Sequence, residues 1–390
     1  MKRILLVTDE FGWGGHESAL NIKKYLSDTY KFDIVDSDGF IEHVDTKLFG
    51  NPDANKFLKR KKKNPIIESF EKKMNLSISE REDIEYYRGK YPKSRYDMDN
   101  LYEYVLNFSK ERGESDKIFK HFKKHLKSYE SGMKFYDLYY LMFHSMLKKQ
   151  EVVKLLDYGQ KVVSVVAGFP TLRKNMFEEG ARGFLKTANR TSGVFANSIK
   201  GLKDLRKIYG GPSYYVPHGV DANIFHPKRF DRKQEFTVGY VGKPVGEKGL
   251  QDMIKPACEK AGVRLLANTR NFENALSKEQ MNEFYNDIHV YVVASTIDGT
   301  PCPALESAAC GRPIISNKIG NMPEFIREGE NGFMVEREVD AYVEKIKWMK
   351  NNTGTVQKMG KVARQTVLDG WTWEKVSEYE RKALRGILGE

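Results

Sequence analysis

Short apolar runs, separated by glycine-rich turns and amphipathic stretches, set the plan of this chain. Arg3–Thr8 reads as a strand, DEFGWGG as a tight turn, and Glu17–Ser27 as a helix with Leu20, Ile22 and Tyr25 among its apolar positions. KFDIVD then reads as a second strand. Strand, helix, strand in that order predicts a parallel sheet.

From about Gly39 to Glu130 the pattern changes, becoming dense in Lys, Glu, Tyr and Phe. KFLKRKKK is a basic run, and DKIFKHFKKHLKSY places Ile118, Phe119, Phe122 and Leu126 on one helical stripe. This segment is expected to be a mostly helical, basic insertion. Strand-like runs resume at YDLYYLMF, KVVSVVAGF, GVFANS and SYYVPHGVD, before a change in composition over Phe225–Asp231. A second set follows: FTVGYVG, then GLQDMIKPACEKAG as one helix, then VRLLAN, HVYVVAS, RPIISN and GFMV as short strands. The last segment, EKVSEYERKALRGIL, carries Val376, Tyr379, Ala383 and Ile387 as one apolar stripe on a terminal helix. The expected fold class is α/β, with two doubly wound Rossmann-like domains. Residues 1–222 form the first domain, carrying the insertion at about 39–130. Residues 223–372 form the second, and a helix over 373–390 returns to the first.

Length agrees with this division, since 390 residues exceed a comfortable single core. No apolar run approaches the roughly 18 residues that span a bilayer. The opening MKRILLVTDEFG lacks a small-residue cleavage site and reads as a buried strand rather than a signal peptide. The cysteines, Cys258, Cys302 and Cys310, have neither CxxC spacing nor an even count, so no disulfide framework or zinc site is expected. A cytoplasmic location fits, with peripheral attachment at a membrane as an option. The formal net charge of +12 points to anionic partners: a nucleotide-linked substrate, nucleic acid or an acidic membrane surface.

Candidate chemistry lies in the second half. Lys243 follows the strand FTVGYVG and Lys248 sits five residues on. Two ammonium groups at the mouth of a cleft can neutralise a diphosphate without a metal ion, although lysines there are commonly just solvated. In DGTPCPALESAACGRPII, Pro301 and Pro303 fix the backbone where a helix starts. The amides of Ala304, Leu305 and their neighbours are then expected to be unengaged and to form an anion site with the helix end. Asp298 before the loop, and Glu306 one turn into the helix, suit hydroxyls on either side of a diphosphate, Glu306 facing a ribose diol. The plainer alternative makes Asp298 a turn residue and Glu306 a complement to the helix dipole.

DGTPCPALESAACGRPII and GNMPEFIREGENGFMV resemble the EG-P-LEA-A-G-PVI and GG--E-I--G-NG-LV phrases of retaining nucleotide-sugar glycosyltransferases of family 4, GT-B fold. VGKPVGEKG, VPHGVDANIF, FGWGGHES and WTWEKV resemble further motifs of that family, with Lys243 where arginine is usual. The resemblance covers about 1–36 and 160–390. It implies that Gly14, Gly15 and His16 form a loop approached by the donor, and that Lys243 and Lys248 hold its diphosphate. It implies that Asp298 binds the transferred sugar, that Gly299, Thr300, Pro301, Cys302, Pro303, Ala304 and Leu305 line the donor, and that Glu306 holds the ribose. The first acid is Asp298 rather than the commoner Glu. Ala167-Gly168 stands where a donor-contacting His is frequent, so His144, His16 and Gly168 are alternative sugar or acceptor contacts.

The resemblance implies retaining transfer of a hexosyl or pentosyl group from a nucleotide sugar such as a UDP-sugar to an acceptor hydroxyl, with no cofactor and no metal. The expected acceptor is a glycan or lipid-linked glycan, met at a membrane by the basic insertion. DNA with a hydroxylated base is the alternative, lysines meeting phosphates and aromatics meeting bases. A sugar-nucleotide epimerase, a phosphorylase and a donor-binding protein without activity share the same architecture.

Overall fold

The structure is a computed structural model, and it describes residues 1–8, 14–44, 135–166, 180–228, 235–269 and 276–390. Most of the basic insertion, with its stripe at Ile118–Leu126, lies outside the described residues, as do Gly168 and part of the expected linker.

Parallel strands build two sheets. The first contains β1 (Arg3–Val7), β2 (Lys31–Val35), β3 (Leu138–Leu141), β4 (Val162–Val166), β5 (Gly193–Ala196) and β6 (Ser213–Tyr215), in the order β2-β1-β3-β4-β5-β6. The second contains β7 (Thr237–Gly242), β8 (Arg264–Thr269), β9 (Val290–Val293), β10 (Ile314–Ser316) and β11 (Gly332–Met334), in the order β11-β10-β9-β7-β8. Two doubly wound sheets are thus present, as the alternation of strands and helices predicts. By backbone proximity the chain forms two compact units, Met1–His16 with Lys31–Val162, and Glu17–Tyr30 with Val163–Glu390. Among the described residues no helix is long and apolar enough to cross a membrane.

In the first unit, β1 pairs with β2 from Arg3↔Lys31 to Val7↔Val35 and with β3 from Ile4↔Leu138 to Val7↔Leu141. Ile4, Leu5, Leu6 and Val7 are all buried, so ILLV is a strand covered on both faces.

The second unit holds the five-stranded sheet. Its strands alternate between two cores, as a period of two requires. Val238, Tyr240, Val290 and Val292 join one core with Ala257, Cys258, Tyr342 and Ile346. Val241, Tyr291, Val293 and Ile314 face the other, which includes Tyr285, Leu305, Ala308 and Val367. The first of these is supplied by α6 (Lys255–Ala261) and α10 (Val339–Asn351), the second by α7 (Lys278–Asn286), α8 (Cys302–Ala309) and α11 (Thr353–Gly370).

Three local readings are corrected. GLQDMIKPACEKAG is not one helix: Leu250–Ile254 is a π-helical turn and α6 begins at Lys255. Pro256 has no amide to bond Asp252, and widening the turn keeps its ring off that carbonyl. In α1 (Gly14–Leu26), Leu20 is exposed and the buried stripe is Ala19, Ile22 and Leu26. In α12 (Trp373–Leu388), Tyr379 is exposed and Glu380 is buried, beside Val376, Ala383 and Ile387. That helix is fixed within the second unit by Arg381, which pairs with Asp28 at 2.9 Å and donates to the Tyr25 carbonyl.

Asn331 is fully buried; its amide donates to the Phe325 carbonyl and Thr366 Oγ1, and its Oδ1 accepts from the Arg327 N–H at 2.7 Å. Asn331→Ala leaves buried backbone groups unpaired and should cost about 2 to 3 kcal/mol, read as a lower urea midpoint at unchanged slope. His289 accepts the Thr237 N–H on Nδ1 at 3.0 Å, and burial followed by the Arg312 charge lowers its pKa to about 4. The folded imidazole therefore binds fewer protons than the unfolded one below pH 6.5. Stability should fall by roughly 3 kcal/mol as pH drops from 6.5 towards 4, a slope that His289→Asn flattens in pH-dependent urea melts.

Candidate active site

The second sheet reverses its winding direction between β7 and β9, which are neighbours although β8 separates them in sequence. Loops leaving the carboxyl ends of such a strand pair diverge to opposite faces and open a crevice, where ligands of doubly wound folds bind. The loop after β7 carries Lys243 and Lys248; the loop after β9 carries Asp298 and leads into α8.

These loops are bound to each other. The Thr296 N–H donates to the Glu247 carbonyl at 2.8 Å, and Lys248 Nζ donates to Asp298 Oδ2 at 2.6 Å. The pair is part-sheltered, with side-chain exposures of 30% for Lys248 and 14% for Asp298. Gly249, at φ 74°, permits the contact, because a Cβ there would lie 2.4 Å from the Ala294 carbonyl oxygen. Tyr240 at the end of β7 donates to the Lys243 carbonyl at 3.1 Å, and its phenol is pushed up to about 12, first by burial and then by the Asp298 charge. The Lys243 side chain itself is exposed.

The loop after β10 holds the other side. The Asn321 N–H donates to the Gly299 carbonyl at 3.0 Å, and Asn321 Nδ2 to Thr300 Oγ1 at 3.1 Å. Gly320, at φ 52°, passes so close that a Cβ would stand 2.3 Å from the Gly299 oxygen. Three successive strand ends therefore fix residues 298–300.

The start of α8 differs from expectation. The Cys302 N–H donates to the Thr300 carbonyl and the Ala304 N–H to the Pro301 carbonyl, each at 2.8 Å, while Pro303 has no N–H. Pro301 is the N-cap and offers no side-chain bond, so the backbone folds back to satisfy its own amides. Ala304 is thus not an unengaged donor; it and Leu305 are fully buried and pack the core. Glu306, half-buried, accepts from the Tyr285 hydroxyl at 2.5 Å.

Gly14, Gly15 and His16 open α1 after β1. His144 begins a 3-10 turn after β3, where burial, then the Lys148 charge, holds its imidazole below the usual range. Glu324, in the GNMPEF phrase, accepts from the Ile199 N–H at 2.5 Å and the Tyr215 hydroxyl at 2.6 Å, and burial raises its pKa. Sequence reading missed Tyr285 and Asn321. The set Met281, Phe284, Tyr285 and Ile288 reads only as an apolar packing stripe, and an asparagine after glycine only as a turn.

Residues 245–366 match the family model of glycosyl transferases group 1. The D-inositol 3-phosphate glycosyltransferase of Acidothermus cellulolyticus is 27% identical over 127 residues, 32% of this chain and 27% of that protein. The capsular polysaccharide biosynthesis glycosyltransferase CapM of Staphylococcus aureus is 24% identical over 183 residues, 40% of this chain and 48% of that one. The chain thus spans about a quarter to a half of the length of these curated relatives. Over nearly whole chains, the fold is similar to sucrose-phosphate synthase of Thermosynechococcus elongatus, with TM-score 0.62, 13% identity and coverage of 100% of both. It is equally similar to Anabaena HepE in complex with UDP and glucose, with TM-score 0.62, 15% identity, and coverage of 99% of this chain and 100% of that one. With its two parallel doubly wound sheets the chain has the GT-B fold of these solved structures, and the segment that matches the group 1 model includes Lys248, Asp298 and Glu306.

Proposed function

We propose that this chain transfers a sugar from a nucleotide-diphosphate donor to an acceptor hydroxyl, with retention of anomeric configuration. One observation carries the reading: loops from β7 and β9 bring Lys248 and Asp298 together at 2.6 Å beside the turn that leads into α8. An ammonium has three N–H donors, and Asp298 takes one. The others suit phosphate oxygens, while the second carboxylate oxygen of Asp298 suits a hydroxyl of the transferred sugar. One acid thus orients the lysine and meets the sugar.

Lys243 adds a second positive charge on the same loop, and the backbone of Gly299 and Thr300 lines the turn. As the bond between anomeric carbon and diphosphate breaks, negative charge grows on the departing phosphate oxygen. Prepositioned ammonium groups stabilise that charge without reorganising. An acceptor hydroxyl approaching the same face gives retention, its proton passing to the leaving phosphate oxygen. No metal ion is required by this scheme. The acceptor is a glycan or lipid-linked glycan, in keeping with the capsular polysaccharide named for one relative.

Purified protein should release nucleoside diphosphate from one of UDP-, GDP- or ADP-sugars when given a glycan or lipid-linked acceptor. The product anomer, read by NMR, should match that of the donor; an inverted product would refute retention. Lys248→Ala should lower kcat/KM by about a hundredfold or more, with the fold intact by circular dichroism. Asp298→Asn should lower kcat more than it raises KM, because the lysine loses its orienting charge while the donor keeps its remaining contacts.

A further inference from the structure

We propose that Tyr285 is a positioning residue for ribose recognition: it holds one carboxylate oxygen of Glu306 and so sets how that carboxylate meets the nucleotide's sugar diol. The inference rests on the nucleotide-diphosphate reading above and goes beyond it by adding a residue from a different helix to the site.

Tyr285 lies in the last turn of α7 and is fully buried. Its ring packs edge-on against Phe225, Phe284 and Tyr291, with centroids 5.8, 5.6 and 6.1 Å away. Such a ring has little room to rotate, so its one polar atom is aimed by the core. That atom donates to Glu306 Oε2 at 2.5 Å, a short hydrogen bond to a charged acceptor.

The backbone beneath is held as firmly. Arg312, itself buried, donates from Nε to the Tyr285 carbonyl at 2.9 Å and from Nη2 to the Asn286 carbonyl at 3.0 Å. A cation thus closes the carboxyl end of α7, where the helix dipole favours it. The path runs from Arg312 through the end of α7 and the Tyr285 ring to Glu306. A glutamate side chain has three rotatable bonds, and a half-buried one facing a ligand loses affinity to its own rotamer freedom. Anchoring one oxygen removes that freedom before the ribose arrives.

The test uses full-length protein and whichever of UDP, GDP and ADP binds most tightly, together with its 2′,3′-dideoxy counterpart. Titration calorimetry on the wild type, Tyr285→Phe, Glu306→Gln and the double variant gives the ribo-to-dideoxy affinity ratio of each. Wild type should prefer the ribonucleotide by about tenfold or more, and Tyr285→Phe should lose most of that preference while binding the dideoxy form as wild type does. The double variant should bind no more weakly than Glu306→Gln alone. In turnover, Tyr285→Phe should raise donor KM with kcat within about twofold. An unchanged ratio in Tyr285→Phe, or equal weakening of both nucleotides, would overturn the role of Tyr285 while leaving the functional reading standing. A wild type that binds none of the three nucleotides would overturn both.

Discussion

In a parallel sheet every strand ends at the same edge, so loops that are distant in sequence must emerge side by side. The order β11-β10-β9-β7-β8 applies this constraint to β7, β9 and β10, whose carboxyl-end loops meet around residues 298–300. The ion pair between Lys248 and Asp298 follows from strand order, because the residues are 50 positions apart and could not find one another through local structure. Two glycines at positive φ, Gly249 and Gly320, let the backbones pass at distances that a side chain would forbid. Both faces of the sheet are buried, so the helices supply rigidity and the loops are left to carry chemistry.

Charge in this crevice is arranged in layers. Exposed Lys243 and half-buried Lys248 present cations, and Asp298 orients the second of them. The Asp298 field reaches Tyr240, whose phenol stays neutral and pins the Lys243 backbone. Glu306, by contrast, is held by the Tyr285 hydroxyl, a neutral donor. Two acids near the start of one helix are thus held differently, Asp298 by a cation and Glu306 by a phenol. Glu324 stands apart from both, bonded to Ile199 and Tyr215, and serves to join α9 (Met322–Phe325) to the end of the first sheet.

Much of this was legible in the amino-acid order, because strands and the residues that end them are local signals. ILLV, TVGYVG and VYVV are apolar runs whose burial needs no knowledge of neighbours, and the glycines, prolines and lysines at their carboxyl ends mark the loops where ligands bind in such sheets. Helix faces were read less well: Tyr379 looked apolar and is exposed, while the acid Glu380 is buried, because the partner surface decides which face turns inward. GLQDMIKPACEKAG was read as one helix, whereas the chain makes a π turn at Leu250–Ile254 ahead of Pro256.

Pairings between side chains belonged to the tertiary structure alone. Lys248 and Asp298 each read as a ligand contact, and their mutual bond appears only once β7 and β9 are adjacent. Likewise Ala304 looked like an amide donor until the turn at Pro301 closed on itself, and Tyr285 looked like core until α8 placed Glu306 at its tip. Composition and periodicity fix which segments are buried, since burial follows from each residue's own affinity for water. Which polar atoms meet is set by strand order and backbone approach, and those are properties of the whole fold.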